Sequence, residues 1–418
     1  MWELIRANQR KSFVLFVFMG IILLLLGYFV GEGFLGRGGG SFGILIAFAI
    51  WIVLTLVAYF SGGSLLMSIS NAKEVTKSVH PQLYNVVEEM KIAANLPKMP
   101  KIYIINEEAP NAFATGRNPE NCAVAVTAGL LAQMNRDELQ GVIAHEMSHI
   151  KNRDILFMTF AGIMLGSIVL ISEVFLRGMW FTGGSSRRYR SSSSEGGGQG
   201  QMIIMIVAIV FAILSPILAQ LLYFAISRKR EYLADASGAR LTRYPEGLAS
   251  ALEKLSQNKY ELKSANKVTA GMYIVNPLKK KGMKLSDLSS THPPISERIK
   301  ILRAMSQGAG FKDYQQAFSK VKSKRIDIIP ASALKENEKV QIRNASKDDY
   351  KTAKSSKRKL GDIMMNVNNY LFLTCTCGLK MKVPPDYNKK EITCPRCGKV
   401  HEIPLEKLAA ISMVGKNI

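Results

Sequence analysis

The chain has 418 residues, 48% of them hydrophobic and 21% charged, with a formal net charge of +23. That length leaves room for two or three domains, and the five cysteines, four of them grouped near the C-terminus, imply a metal site in a reducing compartment more than a disulfide framework. Long uncharged runs alternate with basic aqueous stretches, so the positive charge fits an anionic lipid bilayer better than nucleic acid, which is not expected as a partner.

Arg6, Arg10 and Lys11 lead into an almost purely apolar run over 12–31, long enough to cross a hydrocarbon core of about 30 Å as a helix. The run exceeds a signal-peptide core and no small-residue cleavage pattern follows it, so it reads as an anchor rather than a cleaved leader. A glycine-rich loop over 31–41 turns the chain into a second apolar run, and residues 1–60 are expected to form a transmembrane hairpin.

Residues 61–154 read as the first part of an aqueous domain. Leu83, Val86, Val87 and Met90 give 81–95 the spacing of an amphipathic helix, while 101–106 and 122–127 read as strands with turn-forming residues between. Cys122 is expected to be a buried small apolar residue. Asn135 and Glu138 match a capping box, which opens the helix carrying His145-Glu146-Met147-Ser148-His149. Positions four apart share a helix face, so both imidazoles can reach one metal ion with the Glu146 carboxylate beside it. That is the geometry of zinc-dependent peptide hydrolysis, in which Glu146 takes a proton from water as general base. A chance match among surface histidines competes with it, but the chain holds only five histidines.

The same helix is expected to run unbroken through Lys151, Asn152, Arg153 and Asp154 into a third apolar run over 155–176. The metal would then lie about 9 Å along the axis from the membrane edge. Glu173 and Arg177, one turn apart near the outer end of that run, read as a local ion pair. Residues 182–200 are a low-complexity stretch of Gly, Ser and Arg, read as a disordered loop. A fourth apolar run over 202–226 contains Ser215-Pro216, which suggests a kink, and residues 155–227 make a second transmembrane hairpin. Basic residues flanking the four runs number ten on the side of the N-terminus against five on the other, which favours a cytoplasmic N-terminus and cytoplasmic catalytic parts.

Two histidines leave a catalytic zinc one protein ligand short. The fourth run leads into 228–305, the second part of the aqueous domain, where Glu231 and Asp235 are one helical turn apart. Glu231 is the candidate third ligand, and Asp235 would accept a hydrogen bond from the free nitrogen of a ligating histidine.

With these motifs in place, followed by Ser290-Thr291-His292-Pro293-Pro294 and Arg298, residues 1–305 resemble the HtpX-type membrane zinc metallopeptidases, relatives of the CAAX prenyl endopeptidases. The resemblance implies a mainly α membrane protein of a bacterial inner membrane. Four transmembrane helices would carry a cytoplasmic gluzincin-type α+β metalloprotease domain. It implies an endopeptidase acting in quality control of misfolded membrane proteins. It also brings His292 and Arg298 to the active site: His292 to stabilise the oxyanion or to occupy the open zinc position, Arg298 to support that loop or to contact substrate. Asn111, Ala112, Phe113 and Ala114, with the strand containing Val124 and Val126, resemble the family's substrate-binding edge, where main-chain pairing would hold an unfolded chain.

The resemblance stops after residue 305. Residues 306–361 read as a basic linker, and 406–418 as a tail. Between them, 362–405 carries Cys375 and Cys377, then Cys394 and Cys397, each pair followed by glycine, the pattern of a zinc-ribbon-like module with a second, structural zinc. The first knuckle has one residue between its cysteines where two are commoner, and His401 reads as a surface residue. The rival reading is a catalytically silent zinc-binding membrane scaffold that presents the ribbon to partners. A zinc transporter would need more polar residues within the apolar runs. Physiological substrates and oligomeric state are not encoded in these motifs.

Overall fold

A computed structural model describes residues 2–36, 38–182, 198–258, 262, 272–275, 292–323, 327–329, 331–334, 340–346 and 353–404. Most of the expected loop over 182–200, and the whole tail over 406–418, lie outside the described residues.

The first hairpin is tighter than its glycines suggest. Helix α1 (Trp2–Leu35) and helix α2 (Gly39–Ile69) leave only 36–38 between them, where a short glycine-rich loop over 31–41 is expected from the sequence. The glycines are contact points instead: a Cβ added at Gly43 would lie 2.1 Å from the carbonyl oxygen of Gly27, and one at Gly31 would lie 2.4 Å from that of Gly39. Small residues at such positions let membrane helices approach to backbone contact. The turn is closed by the Glu32 carboxylate, which accepts the Gly38 N–H at 3.2 Å.

The aqueous domain opens with β1 (Ala72–Glu74) and α3 (Pro81–Ala94), whose start is capped by His80: its Nδ1 accepts the Leu83 N–H at 3.1 Å. Strands β2 (Lys101–Ile105), β3 (Ala112–Asn118) and β4 (Asn121–Thr127) complete a four-stranded sheet in the order β1-β2-β4-β3. Strand β4 runs parallel to β2 and antiparallel to β3, pairing Ala112 with Val126 and Ala114 with Val124. Val124 and Val126 therefore sit on a central strand, fully buried and paired on both sides. The sheet's edge strands are β1 and β3. Cys122, on β4, is buried, and burial pushes its thiol up to about 12.

After the short helix α4 (Ala128–Gln133), the capping box forms as expected at the start of α5 (Arg136–Lys151). Asn135 Oδ1 accepts the Glu138 N–H and Glu138 Oε2 accepts the Asn135 N–H, both at 2.8 Å. Helix α5 does not continue into the membrane. Arg153 takes a left-handed φ of 58°, and a separate helix, α6 (Ile155–Thr182), begins two residues later. The polar triplet 152–154 ends one helix and starts the next, because Asp154 at the head of an apolar run is a helix-start residue.

Helix α7 (Gly198–Thr242) is a single 45-residue rod, with Pro216 inside it, that carries the fourth apolar run onward to Glu231 and Asp235. Four helices, over Phe13–Leu35, Gly39–Ile69, Ile155–Gly178 and Met202–Leu221, are long and apolar enough to cross a membrane. Buried Ser172 and Ser215 join α6 to α7 at 3.3 Å, and Glu173 and Arg177 form the expected ion pair at 3.9 Å.

Helices α8 (Pro245–Ser256), α9 (Ile295–Arg303) and α10 (Phe311–Lys322) pack on α5 and α7. Tyr314 and Phe318 of α10 are buried in the same core as Val142 and Ile143 of α5. The stretch over 340–346 is pinned to the first turn of α5, where Asp137 accepts hydrogen bonds from Arg343 and Ser346, each at 2.7 Å. After α11 (Ala331–Leu334), Ile363 and Val367 of α12 (Ala353–Val367) join that core. Much of the expected basic linker over 306–361 is therefore packed structure. Phe311, Tyr314, Phe318 and Ile329 of this stretch are buried, whereas Ile342 is exposed.

The chain ends in two antiparallel hairpins, β5 (Leu371–Thr374) with β6 (Lys380–Val383), and β7 (Glu391–Thr393) with β8 (Val400–Glu402). Gly378 and Gly398, at φ 82° and 75°, make the left-handed turns that fold each knuckle back on itself.

Candidate active site

Helix α5 presents His145, Glu146 and His149 to a wholly buried space, and α7 delivers Glu231 to the same point. The two Nε2 atoms are 3.3 Å apart; Glu231 Oε2 lies 3.6 Å from His145 Nε2, and Oε1 lies 3.4 Å from His149 Nε2. Ligands about 2.05 Å from a tetrahedral zinc stand about 3.3–3.4 Å from one another, so the three side chains fit that ion without rearrangement. A further sign is that Glu231 Oε2 and Glu146 Oε1 are buried with no hydrogen-bond partner among the described residues. Buried polar atoms left in this way ask for a ligand or an ion.

Each histidine is held by a carboxylate on its other nitrogen. His145 Nδ1 is 3.0 Å from Asp235 Oδ1, as the one-turn spacing on α7 predicts. His149 Nδ1 is 3.2 Å from Asp154 Oδ2. Sequence reasoning passed over Asp154 because it took α5 and α6 for one helix. The break at Arg153 is what swings this carboxylate back to His149, and the Asp154 N–H also donates to the His149 carbonyl at 2.9 Å. Both Nε2 atoms are thereby turned toward Glu231, the orientation that carboxylate–histidine pairs impose in metal sites.

Charge follows the same design. Burial opposes the cationic form of His149, but hydrogen bonds that its ring donates to Asp154 and Glu231 outweigh it and raise its pKa to about 10. Burial likewise works against ionised Asp235, while Arg298 and His145 hold it below the ordinary carboxylate range. Glu146 has no such cation locked onto it; burial dominates and raises it, against the pull of the two histidines. His292 is driven down to about 4, by burial first, with Arg298 and the histidines adding to that against the pull of Glu231.

The later motif enters from α9. His292 is buried, with Nε2 3.5 Å from Glu231 Oε2. Arg298 is fully buried and grips Asp235 with two hydrogen bonds, Nε to Oδ2 at 2.8 Å and Nη2 to Oδ1 at 2.7 Å, while Nη1 stands 3.4 Å from Glu231. On the opposite side, β3 packs against α5 with the Ala114 backbone beside the Glu146 carboxylate. Asn111, Ala112, Phe113 and Ala114 are thus beside the site. Val124 and Val126, one strand further in, are not.

A second cluster lies in the C-terminal module. Cys375 and Cys397 bring their sulfurs to 3.4 Å and Cys377 and Cys394 theirs to 3.7 Å, and all four fall within 4.8 Å of one another. Thiolates about 2.3 Å from a tetrahedral zinc are spaced by about 3.7 Å, which this set approaches despite its short first knuckle. His401 lies against Cys375 but outside the cluster.

Comparison with known proteins gives the same picture over most of the chain. The profile of Peptidase family M48 matches residues 77–306. A "Protease HtpX homolog" of Dictyoglomus thermophilum is 47% identical over 306 residues, 73% of this chain and 95% of that one. Others, from Lactobacillus helveticus and Streptococcus pneumoniae, are 44% and 42% identical over 73% of this chain and all of theirs. Among solved structures, S. mikatae Ste24p overlaps 72% of this chain and 67% of its own at 20% identity, with a TM-score of 0.37, too low to support an argument from fold.

Proposed function

The chain belongs to peptidase family M48 as an HtpX-like membrane metalloprotease, and from that premise we propose that it is a zinc-dependent endopeptidase that clears misfolded membrane proteins. The observation that carries the reading is the buried convergence of His145, His149 and Glu231, with an unpartnered Glu146 oxygen beside them. Zinc held by those three side chains would supply Lewis acidity that polarises the scissile carbonyl and acidifies water.

The chain's own groups do the rest. Glu146 accepts the proton of the attacking water and hands it to the departing amine nitrogen; burial raises its pKa, which makes the carboxylate a better proton acceptor than an exposed one. Asp235, clamped by Arg298, and Asp154 keep the histidines in one tautomer and orientation. His292 stays a neutral imidazole down to about pH 4 and so can present an N–H to developing negative charge without a competing cation. Substrate lies as an extended strand along β3, whose main chain recognises any unfolded backbone.

The orientation we infer is cytoplasmic for the catalytic domain, in a bacterial inner membrane, from the excess of Lys and Arg on that side of the spans. A purely structural metal site would have no use for Glu146, which disfavours the silent-scaffold reading. The purified protein in detergent is expected to degrade casein, to stop in the presence of a chelator and to recover with zinc. Degradation that survives complete metal removal would sink the proposal.

The four cysteines we assign to a second, structural zinc, because a four-thiolate set leaves no open coordination place. Zinc content is expected to be two ions per chain, falling to one in a Cys394→Ser, Cys397→Ser double variant that still degrades casein. Elemental analysis of both proteins measures it, and two ions retained in the variant would place the second metal elsewhere.

A further inference from the structure

The outer edge of β3, where a substrate strand is expected, already carries a piece of this chain. Residues 272–275 lie against it in reverse order, Val275 at Asn111, Ile274 at Ala112 and Tyr273 at Phe113, as a turn and bends rather than a ladder strand. The Ile274 N–H donates to the Ala112 carbonyl at 2.9 Å, and the Asn111 side chain brackets Val275, its Nδ2 donating to the carbonyl at 2.9 Å and its Oδ1 accepting the N–H at 3.4 Å. Tyr273 packs edge-on against Phe113 with ring centroids 5.0 Å apart. The fourth grip comes from the active site itself: Arg298 Nη1 donates to the Ile274 carbonyl at 3.2 Å while the same guanidinium holds Asp235. Met272, Tyr273 and Ile274 are all buried.

We infer that residues 272–275 are a built-in competitor for the peptide groove, a stand-in strand that substrate must displace before it can pair with β3. The inference rests on the endopeptidase reading above. Two features separate a stand-in from a wall. These main-chain contacts are ones that any peptide could make in its place, because Ala112, Asn111 and Arg298 all address the backbone of residues 274 and 275. The segment also lies against 111–113, so a substrate strand and this segment cannot occupy that edge together. The occupant chemistry follows: an extended peptide with large apolar side chains at the positions of Tyr273 and Ile274, as an unfolded membrane segment would provide.

Ile274→Pro removes the N–H given to Ala112 and keeps the apolar bulk, whereas substrate brings its own N–H. If the groove is open only about a tenth of the time, the variant lowers KM for a fluorogenic unfolded substrate by up to about tenfold with kcat unchanged. A KM that stays the same or rises in a folded variant of unchanged zinc content overturns the inference. Hydrogen exchange on the unaltered segment gives an answer that does not depend on that variant folding. In a Glu146→Gln background, saturating casein is expected to accelerate exchange at Ile274 and Val275 while the β3 amides stay protected. Protection of residues 274 and 275 that persists with casein bound makes the segment a fixed wall. Failure of the wild-type protein to cleave casein at all would count against the endopeptidase reading rather than against the strand.

Discussion

Glu146→Gln is expected to lower casein cleavage by about 10³-fold while leaving the zinc content at the catalytic site unchanged. The loss follows from proton transfer: an amide of the same shape cannot take the water's proton, and general-base catalysis contributes about 10²–10⁴-fold. Retention of metal follows from position, since the three residues whose atoms converge are His145, His149 and Glu231. The pH profile of the wild-type protein reports the same group. Burial raises the Glu146 pKa above its ordinary 4.5, so its basic form is lost as pH falls through a value higher than that of an exposed glutamate. The acid limb of kcat/KM should therefore lie above pH 4.5 and vanish from the residual activity of the variant. A Glu146→Gln protein with more than a tenth of the wild-type rate, measured on fluorescently labelled casein, would remove Glu146 from the chemistry.

What could be read beforehand was whatever the sequence encodes locally. His145, Glu146 and His149 share a helix face by spacing, Asn135 and Glu138 announce where that helix starts, and Glu231 and Asp235 are one turn apart on a helix that leaves the membrane. Arg298 was placed near the site by resemblance, but its grip on Asp235 joins residues 63 apart and could come only from the fold. Three other features had no local signature. Asp154 reaches His149 because Arg153 adopts a left-handed conformation that an unbroken helical pattern conceals. The sheet order puts β4 between β2 and β3, so the strand with Val124 and Val126, which the resemblance grouped with 111–114 as the substrate-binding edge, is a central one. Arg343 finds Asp137 across 206 residues, tying to α5 a region whose composition suggested only a solvated linker. Composition reports what a residue tolerates around it, and such long-range partners lie outside what it can report.

Arg298→Met is expected to destabilise the metal-free protein by about 3–5 kcal/mol, the range for breaking a buried ion pair from one side. Arg298 has no exposed surface, and its removal leaves Asp235 ionised in the core with only the His145 imidazole beside it. The nearby Glu231 also loses a cation 3.4 Å away. Much of that loss is the cost of a stranded charge rather than the worth of the pair, and a second substitution separates the two. In Arg298→Met, Asp235→Leu no charge is stranded, and a well-packed apolar replacement of a buried pair is often neutral. Thermal unfolding in detergent with chelator present should therefore show a large drop for the single variant and recovery of most of it in the double variant. Activity should not recover, because His145 has then lost the carboxylate that fixes its ring, a contact whose removal costs about 10–100-fold in metal affinity or rate. If the double variant regained both stability and cleavage, the Arg298–Asp235 pair would be a structural tie alone, and the orientation of His145 would have to come from elsewhere in the site.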